Sequence, residues 1–575
     1  MSREWIIHPR WAGCSEAATG WSVPPLVAQL LYNRQVGSPE AARAFLDPKL
    51  TDLHPPDALP GAKGAAALLA ERIRDGKRIV LYGDYDVDGI TGVATLWHVL
   101  KLAGAQVSFY VPHRIEEGYG LNATAIRSLA AEGANVVVSV DCGITAVEEA
   151  AEARQLGLEL IITDHHEPRP ELPVCAATVH PRVGGAYPNG DLCGSGVAFK
   201  LAWALAQQLC GQDRVAPEFR ELLMHTLPLA ALGTIADVVP LVGENRIIAR
   251  CGLALLPASR LAGLRALLDV AGLAGEVDCT DVGFKLAPRI NAAGRMGHAR
   301  LAIDLLTWAD ENRAREIALY LDDHNNSRRA LQRKHVRRAC ELIEQAGLDG
   351  DTQRAIVLAD EQWHPGVIGI VAANVVDRYH KPTVLIALDG EVGHGSARSV
   401  PHFAMHEALA ACSPHLLSHG GHAMAGGLKI QASAVPAFTE AFVAHANNSL
   451  SGSSQRARLR IDGEVDLHEL DETTVTALLR LGPFGEGNPK PLLATDWVDL
   501  ADDPRCVGKS GEHLQLSVRQ NGALLKGIAF GAAERATDLK DHRRCRLAFE
   551  PIINAFNGRR RVELQVVDFK FPGDA

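Results

Sequence analysis

Three carboxylates at alternate positions, Asp84, Asp86 and Asp88, are the part of this sequence best suited to chemistry. They follow a short apolar run, Ile79–Leu81, and precede Gly89. If the segment stays extended, a spacing of two points all three side chains to one side, so that they can converge. Like charges this close repel each other unless a positive charge lies among them. A hard divalent cation is the simplest such charge.

Two other interpretations of this stretch remain open from these residues alone. One is a solvated acidic turn without a ligand. The other is an EF-hand calcium loop, since Gly89 falls at its sixth position. That loop requires a bidentate glutamate at its twelfth position, where this sequence has Thr95, and a helix rather than a strand before it.

The elements around these carboxylates alternate between strand and helix. The apolar pattern predicts strands at 78–82, 106–111, 136–140 and 159–163, separated by helices. Strands rich in valine and isoleucine in such an alternation indicate a parallel sheet with helices on both faces. Ligands bind such sheets at the carboxyl ends of the strands.

Further polar residues follow the later strands of this predicted sheet. Asp141 follows the third strand, and Asp164, His165 and His166 follow the fourth. A lone aspartate there is usually a helix cap, and a pair of histidines is usually surface. Together with the first three carboxylates they indicate a metal site. Oxygen and imidazole ligands without a thiolate favour Mn²⁺ or Mg²⁺, and so many carboxylates suggest two ions, an arrangement used for in-line phosphoryl hydrolysis.

Composition narrows the class of protein without deciding its function. The 575 residues, 47% hydrophobic and 22% charged, predict a folded protein of roughly three domains. No apolar run reaches the roughly 20 residues that a membrane span needs. With no signal-peptide pattern and eleven cysteines free of CxxC pairs, we expect a cytoplasmic protein with free thiols. The net charge of −10 argues against a nucleic-acid partner. The excess of acidic over basic residues lies mostly before residue 456, however, where an acidic metal site would be.

Four motifs carry a resemblance to a known family. They are G-D-Y-D-V-D-G (83–89), V-D-C-G-I (140–144), T-D-H-H (163–166) and A-D-V-V-P (236–240). In these motifs, and from about residue 60 to the C-terminus, the sequence resembles the DHH phosphoesterase family. Within that family it is most similar to bacterial exonucleases specific for single-stranded DNA.

The resemblance implies a set of metal ligands for two divalent cations, Mn²⁺ or Mg²⁺. It implies that Asp141 bridges the ions and that His166 faces the scissile phosphate, which makes these two the catalytic residues. Asp237 rests on the resemblance alone, because 230–238 is otherwise predicted as the end of a helix. The implied ligands are Asp84, Asp86, Asp88, Asp141, His165 and Asp237.

Two further segments contain candidate substrate-binding residues. In the segment 112–121, Arg114 could hold a phosphate and Tyr119 could stack on a base, although such a pair is often ordinary surface. The segment 288–295 is predicted as a loop whose Arg289, Asn291 and Arg295 suit a backbone phosphate. Both segments are also found in the family.

A second domain is predicted from about residue 354, with the glycine-rich motifs of the DHH-associated domain. Arg398 with Ser396 and Ser399 would form a pocket for a terminal phosphate. His364 and His422 would donate hydrogen bonds to substrate oxygens. A lone histidine in a glycine-rich loop is otherwise more often structural.

The remaining segments complete the predicted domain order. Residues 310–346 form a long amphipathic helix with a basic side, and the short strands after 456 indicate a small β-barrel of OB type. The loop 482–489 is a candidate strand contact. The predicted boundaries are an N-terminal wrap or linker at 1–60, a DHH domain at 61–305, a connecting helix at 306–350, a DHH-associated domain at 351–450 and an OB domain at 456–575.

The resemblance implies a 5′→3′ exonuclease that releases 5′-mononucleotides from single-stranded DNA in repair and recombination. It also implies single-strand-binding protein and a RecQ-type helicase as partners, and no membrane. Two alternatives remain: a phosphoesterase for short RNA or small phosphates, and an inactive replication-associated relative. The first would not need the barrel and the basic helix, and the second predicts eroded ligands.

Overall fold

The computed structural model describes residues 3–113, 117–295, 298–350, 353–450, 458–556 and 559–574, with the backbone alone at 295 and 556. The chain begins with β1 (Glu4–Ile7), α1 (Cys14–Trp21), α2 (Pro25–Asn33) and α3 (Pro39–Leu46). The apolar faces of α2 and α3 share a core with the C-terminal domain rather than with the unit that follows them. Leu50, Leu53 and Leu59 are the first residues to pack against the core of that next unit.

A five-stranded parallel sheet, in the order β3-β2-β4-β5-β6, forms the centre of the first domain. Its strands are β2 (Arg78–Gly83), β3 (Gln106–Tyr110), β4 (Val136–Val140), β5 (Glu159–Thr163) and β6 (Ala177–Val179). The first four agree with the predicted strands to within a residue. The three residues of β6 are too few to give a periodic signal, and this strand was missed.

Eleven α-helices belong to the described part of this domain. They are α4 (Ala62–Arg74), α5 (Val87–Leu102), α6 (Ala123–Ala131), α7 (Val147–Gln155), α8 (Gly194–Cys210), α9 (Pro217–Ala236), α10 (Gly243–Leu255), α11 (Ala262–Val270), α12 (Cys279–Asp281), α13 (Ala287–Arg295) and α14 (Ala299–Thr307). Ile79 and Leu81 of β2 face one core, which includes α4, α5 and α8, whereas Val80 and Tyr82 face another that includes α6 and α7. Helices therefore cover both faces of the sheet, as the sequence predicts.

One helix of 35 residues, α15 (Glu311–Gln345), connects the first domain to the second. At about 1.5 Å per residue it is about 50 Å long. Ile317 and Leu321 lie in the core of the first domain, and Ala339 and Ile343 lie in a core of the second. The predicted apolar stripe is thus divided between two domains, and the helix fixes their separation.

The second domain is a mixed sheet in the order β10-β11-β9-β8-β7, in which only β7 and β8 are parallel. Its elements are β7 (Ile356–Asp360), α16 (Pro365–Tyr379), β8 (Thr383–Asp389), β9 (Val392–Arg398), α17 (Met405–Ala411), β10 (Ser418–Gly421), β11 (Ala425–Gln431) and α18 (Val435–Ser449). The last helix of this domain, α18, continues to Ser449 and buries Phe438 and Phe442.

The C-terminal domain contains a closed five-stranded barrel. Its elements are β12 (Arg458–Ile461), β13 (Gly463–Glu464), α19 (Glu472–Leu479), β14 (Leu493–Ala494), β15 (Val498–Leu500), β16 (Arg505–Val507), β17 (His513–Gln520), β18 (Ala523–Ala529), α20 (Ala536–His542), β19 (Arg544–Phe556) and β20 (Arg559–Lys570). The order β19-β15-β17-β18-β20 closes because β20 also pairs with β19. β1 adds to this domain by pairing with β12.

The eleven cysteines are all free thiols. Among the described residues no single helix has the length and apolarity to cross a membrane. One pair of helices, Gly243–Ala258 and Ala262–Val270, bent by 85°, reaches that length and composition only when the two are taken together.

Candidate metal centre

The acidic loop after β2 turns into a helix earlier than the sequence suggests. Asp86 is the N-cap of α5, and its Oδ1 accepts hydrogen bonds from the backbone N–H of Asp88 at 2.9 Å and of Gly89 at 3.1 Å. The assumption of an extended segment is therefore wrong beyond Asp86. The three carboxylates converge because Asp84 follows the strand, Asp86 caps the helix and Asp88 lies in its first turn.

The start of α8 holds the carboxylate of Asp88. The backbone N–H of Gly194 donates to Oδ2 at 2.6 Å, and that of Ser195 donates to Oδ1 at 2.9 Å. A helix N-terminus stabilises a negative charge, and at α8 the negative charge is the carboxylate of Asp88. A Cβ at Gly194 would lie 2.4 Å from Oδ1 of Asp141, so only glycine allows α8 to come this close.

Asp141 follows β4 in a left-handed backbone conformation, with φ at 65°. Aspartate is one of the few residues that tolerate this region, which costs of order 1–3 kcal/mol and is often found at active sites. The strained turn directs a buried carboxylate towards His165, whose Nε2 lies 3.2 Å from Oδ1 of Asp141.

The six predicted ligands come together at the carboxyl edge of the sheet. In each of two groups the potential ligand atoms lie within 4.8 Å of one another. The groups are Asp84, Asp86 and Asp141, and Asp88, His165 and Asp237. The contact between Asp141 and His165 joins them, so the arrangement has room for two neighbouring ions. The role of each residue as a ligand stays a prediction.

The donor set fits a hard divalent cation. Within the described part of the chain, the buried atoms Oδ1 of Asp141 and Nε2 of His165 have no hydrogen-bonding partner. An unsatisfied buried polar atom costs about 1–3 kcal/mol. A cation between them would satisfy both, and the mixture of carboxylate and imidazole suits Mn²⁺ or Mg²⁺.

The carboxylates of this cluster destabilise each other's charge. Burial and the carboxylate of Asp88 raise the pKa of Asp86, and burial with Asp88 and Asp86 raises the pKa of Asp141 well above its usual range. Burial and the same neighbours raise the pKa of Asp237 to about 8. A bound cation would relieve this repulsion.

Asp164 holds His166, a role that the candidate site residues did not include. Its Oδ1 lies 2.7 Å from Nδ1 of His166, and its Oδ2 accepts from the N–H of Ile144 at 2.9 Å. Burial opposes the charge of Asp164, but the hydrogen bond and charge of His166 lower its pKa to about 2. Burial likewise disfavours a charged His166, but Asp164 raises the pKa of its imidazole to about 9. The position of Asp164 directly before two histidines is the sequence signal for this pairing.

Tyr119 lies at the site through its hydroxyl group. The hydroxyl donates to the carbonyl oxygen of Asp141 at 3.3 Å and lies 3.1 Å from Nδ1 of His166. Half of the residue, 52%, is exposed, so part of the ring remains accessible. Glu117 orders the loop by accepting from the Tyr110 hydroxyl at 2.6 Å. Arg114 lies outside the described residues.

The predicted loop 288–295 is wrong, because these residues form α13. The π-helical segment Val282–Leu286 leads directly into α13, where Pro288 is the second residue. Alanines favour helix in the next turns. Oδ1 of Asn291 accepts from the N–H of Val87 at 3.1 Å, so this residue supports the acidic loop. Arg289 pairs with Asp322 of α15 at 2.7 Å. The side chain of Arg295 lies outside the described residues.

Ser396 and Arg398 lie two residues apart on β9 and face α16. Nη1 of Arg398 donates to Oγ of Ser396 at 3.3 Å, and a Cβ at Gly369 of α16 would lie 2.9 Å from that Oγ. The hydroxyl of Ser399 donates instead to the carbonyl oxygen of Phe403 at 2.5 Å, so it is a structural contact. The role of Arg398 and Ser396 in binding a terminal phosphate stays a prediction.

The two histidines of this domain occupy different environments. His364 is the N-cap of α16, and its Nδ1 accepts from the N–H of Gly366 at 3.1 Å. His422 is exposed in the turn between β10 and β11. That turn lies beside the end of β9, since Ala425 pairs with Arg398.

Three family models match the chain, one for each domain. They are the DHH family, N-terminal domain, over residues 78–234, the DHHA1 domain over 352–448, and the RecJ OB domain over 461–568. The order of the three matches is the order of the structural domains described above.

Whole proteins are also similar to the chain. It is 39% identical over 550 residues to the single-stranded-DNA-specific exonuclease RecJ of Bacillus subtilis, a match that covers 95% of this chain and 68% of that protein. The crystal structure of RecJ from Thermus thermophilus in complex with Mn²⁺ has a TM-score of 0.85 at 33% identity, covering 99% of this chain and 80% of that one. The structure of the same protein with Mg²⁺ has a TM-score of 0.78 at 31% identity, covering 99% and 79%.

Proposed function

Because the chain belongs to the RecJ family of single-stranded-DNA-specific exonucleases within the DHH family, we propose that it is a metal-dependent 5′→3′ exonuclease. It removes 5′-mononucleotides from single-stranded DNA. In each cycle water adds to phosphorus and the P–O3′ bond breaks. The released nucleotide leaves with a 3′ hydroxyl, and the shortened strand keeps a 5′ phosphate.

The observation that carries this proposal is the pair of ligand groups joined through Asp141 and His165. Asp84, Asp86 and Asp141 would hold one divalent cation, and the other group, completed by Asp88 and Asp237, would hold the second. Mn²⁺ or Mg²⁺ bound there supplies charge that stabilises both the attacking and the leaving oxygen of an in-line displacement. The side chains of the two ligand groups would determine where the positive charge of the ions lies.

His166 is the residue we assign to the scissile phosphate. Its Nδ1 is engaged by Asp164, which holds the ring in one orientation and favours its protonated form. Nε2 then serves as the donor to a phosphate oxygen, a contact that strengthens as negative charge develops during attack. The hydroxyl of Tyr119 lies beside the same ring and limits its rotation.

The 5′ direction follows from where the strand end is held. We assign Arg398 and Ser396 to the terminal phosphate, since a guanidinium and a hydroxyl on one strand face suit such an anion. His364 and His422 are assigned as further donors on the same domain. Each cycle leaves a new 5′ phosphate, so the same pocket can hold the strand again.

The remaining substrate contacts would lie along the path of the strand. Arg114, Arg289 and Arg295 are assigned to backbone phosphates, and Tyr119 to stacking on a base. Asn291 contributes through the acidic loop it supports. The domain boundaries at 61–305, 306–350, 351–450 and 456–575 divide these roles into catalysis, connection, end binding and strand binding by the OB domain.

A nuclease for single strands acts where duplex DNA has been opened. We therefore propose a role in DNA repair and recombination in the cytoplasm, with a RecQ-type helicase producing the strand and single-strand-binding protein covering it. The OB domain, whose relatives bind single strands, is the part of the chain best suited to such a substrate.

The test compares 5′-labelled and 3′-labelled single strands with a matched duplex, in Mn²⁺ and after chelation. We expect labelled mononucleotide at once only from the 5′-labelled strand, and none after chelation or with Asp141→Ala. Equal digestion of the duplex, or activity that survives chelation, would contradict the proposal. Faster hydrolysis of RNA dinucleotides than of long DNA would favour the small-substrate alternative, and no hydrolysis of any of these would favour an inactive relative.

A further inference from the structure

Asp237 is the one proposed ligand that does not follow a strand of the sheet or belong to the acidic loop. It is the C-cap of α9, and its Oδ2 lies 3.6 Å from Nε2 of His165. The negative end of a helix dipole disfavours a carboxylate at this position. Val238 follows in a left-handed conformation, with φ at 60°, although a β-branched residue rarely adopts it. Something outside α9 must therefore hold this turn.

The C-terminal domain contacts the chain directly after this turn. The N–H of Leu241 donates to the carbonyl oxygen of Glu486 at 2.7 Å. Gly487, with φ at +69°, approaches so closely that a Cβ there would lie 3.0 Å from Cβ of Pro240. A Cβ at Gly485 would lie 2.8 Å from Cδ1 of Leu241. The loop 482–489 therefore packs tightly on segment 238–241.

Two arginines of α10 fasten the same loop to the first domain. Arg246 and Arg250 each donate to the carbonyl oxygen of Gly482 at 2.7 Å. Only 2% of Arg246 is exposed, and its guanidinium also lies 3.9 Å from the ring centre of Phe45. Buried charge-assisted hydrogen bonds of this kind are strong and directional.

The loop itself is held rigid from inside. Asn488 is fully buried, and its amide donates to the carbonyl oxygens of Leu481 at 2.9 Å and Pro483 at 2.8 Å. Its Oδ1 accepts from Nε of Arg34 at 2.8 Å. The expectation that this loop contacts DNA is not favoured, because these groups are engaged within the protein.

We propose that the loop 482–489 of the C-terminal domain positions Asp237 through segment 238–241, so that the barrel domain completes the metal centre. The proposal rests on the proposed function in that it takes Asp237 as a ligand. Its loop residues are positioning residues, since they act through the turn and touch neither substrate nor ion. A chain without this contact would keep the first ligand group and lose the geometry of the second.

The test uses the full chain with Gly487→Ala and a matched control, Gly531→Ala. Gly531 lies in the same domain with φ at +68°, and nothing surrounds its Cβ position within 4 Å. Both variants carry the same backbone strain, and only Gly487→Ala pushes on Pro240. Mn²⁺ binding is measured directly by electron paramagnetic resonance of the free ion, together with KM for the strand.

We expect Gly487→Ala to weaken one of the two Mn²⁺ sites about 10-fold, a usual effect of losing support around a ligand. The other site, and KM for the strand, should match those of Gly531→Ala. Equal Mn²⁺ affinities in the two variants would overturn the proposal. If Gly487→Ala does not fold, Arg250→Gln, which removes one of the two donors to Gly482, takes its place under the same criteria.

The variant Asp237→Ala distinguishes a failure of the loop's positioning role from a failure of the proposed function. Loss of one Mn²⁺ site in Asp237→Ala, with normal binding in Gly487→Ala, overturns the positioning role and leaves the proposed function intact. Unchanged Mn²⁺ binding in Asp237→Ala would mean that Asp237 is not a ligand. The assignment of the second ligand group in the proposed function would then be wrong, and the positioning role with it.

Discussion

Oδ1 of Asp164 lies 2.7 Å from Nδ1 of His166, and this contact fixes the orientation of the imidazole that we assign to the scissile phosphate. Asp164 is 1% exposed, and His166 itself is partly exposed on the side of the site. The carboxylate thus acts from behind the ring, as a positioning residue rather than as a group that touches substrate.

Replacing Asp164 by Asn should lower kcat about 10- to 100-fold, the usual effect of losing a carboxylate behind a catalytic or ligating imidazole. KM for the strand and Mn²⁺ affinity should change little, because Asp164 belongs to neither ligand group. Steady-state kinetics with saturating Mn²⁺ would show this division. A variant that instead loses Mn²⁺ would identify Asp164 as part of the metal centre.

Gly194→Ala should abolish activity, since the new Cβ would lie 2.4 Å from Oδ1 of Asp141 and displace the carboxylate shared by the site. The matched control is Gly64→Ala in α4, where nothing lies within 4 Å and alanine should stabilise the helix by about 1 kcal/mol. Thermal unfolding and Mn²⁺ titration of both variants test the prediction. An active Gly194→Ala enzyme would show that Asp141 can move freely.

Asp141→Asn should make the metal-free protein more stable while removing its response to Mn²⁺. Burial and neighbouring carboxylates hold the pKa of Asp141 well above its usual range, so the charged form is disfavoured without a cation. Asparagine suits the left-handed backbone at this position. We expect a higher free energy of unfolding for the metal-free variant than for the metal-free parent protein. Urea unfolding with and without Mn²⁺ measures it, and a destabilised apo variant would contradict the account.

Much of the site could be predicted because the parallel sheet itself brings the site residues together. Buried runs of valine and isoleucine identify β2, β4 and β5, and parallel strands bring their carboxyl ends to one edge. Asp84 and Asp141 follow such strands directly, and His165 is the second residue after one. Their convergence therefore depends on local patterns that a single sequence contains.

Other features depend on contacts between distant segments, which periodicity does not record. Asp237 is at the end of a helix, and only its distance to His165 reveals its place. Asn291 was assigned to DNA, but it accepts from Val87 across 204 positions of sequence. The loop 482–489 has the glycines and polar residues of an exposed loop, and only its close approach to Pro240 and Leu241 shows that it packs on the first domain.

Glu244→Gln should destabilise the first domain by about 3–5 kcal/mol, because it leaves the charge of Lys200 buried without its partner. Neither side chain is more than 1% exposed, and Glu244 also accepts from the Tyr187 hydroxyl at 2.6 Å and from the N–H of His54 at 3.1 Å. Adding Lys200→Met should recover most of the loss in urea unfolding. Asp503→Asn, which breaks an exposed pair, is the control and should change stability by less than about 1 kcal/mol.

Arg398→Gln should reduce the rate on single strands with a 5′ phosphate about 10- to 100-fold, the value of a hydrogen bond to a charged group. Strands with a 5′ hydroxyl should be affected much less in their first cleavage, because they lack the anion that Arg398 and Ser396 are assigned to hold. Single-turnover rates on the two strands give the ratio directly. Arg378→Gln removes an exposed arginine from α16 of the same domain and should leave the ratio unchanged. An equal loss on both strands in Arg398→Gln would mean that this arginine supports the fold of β9 and α16, and that the strand end is held elsewhere.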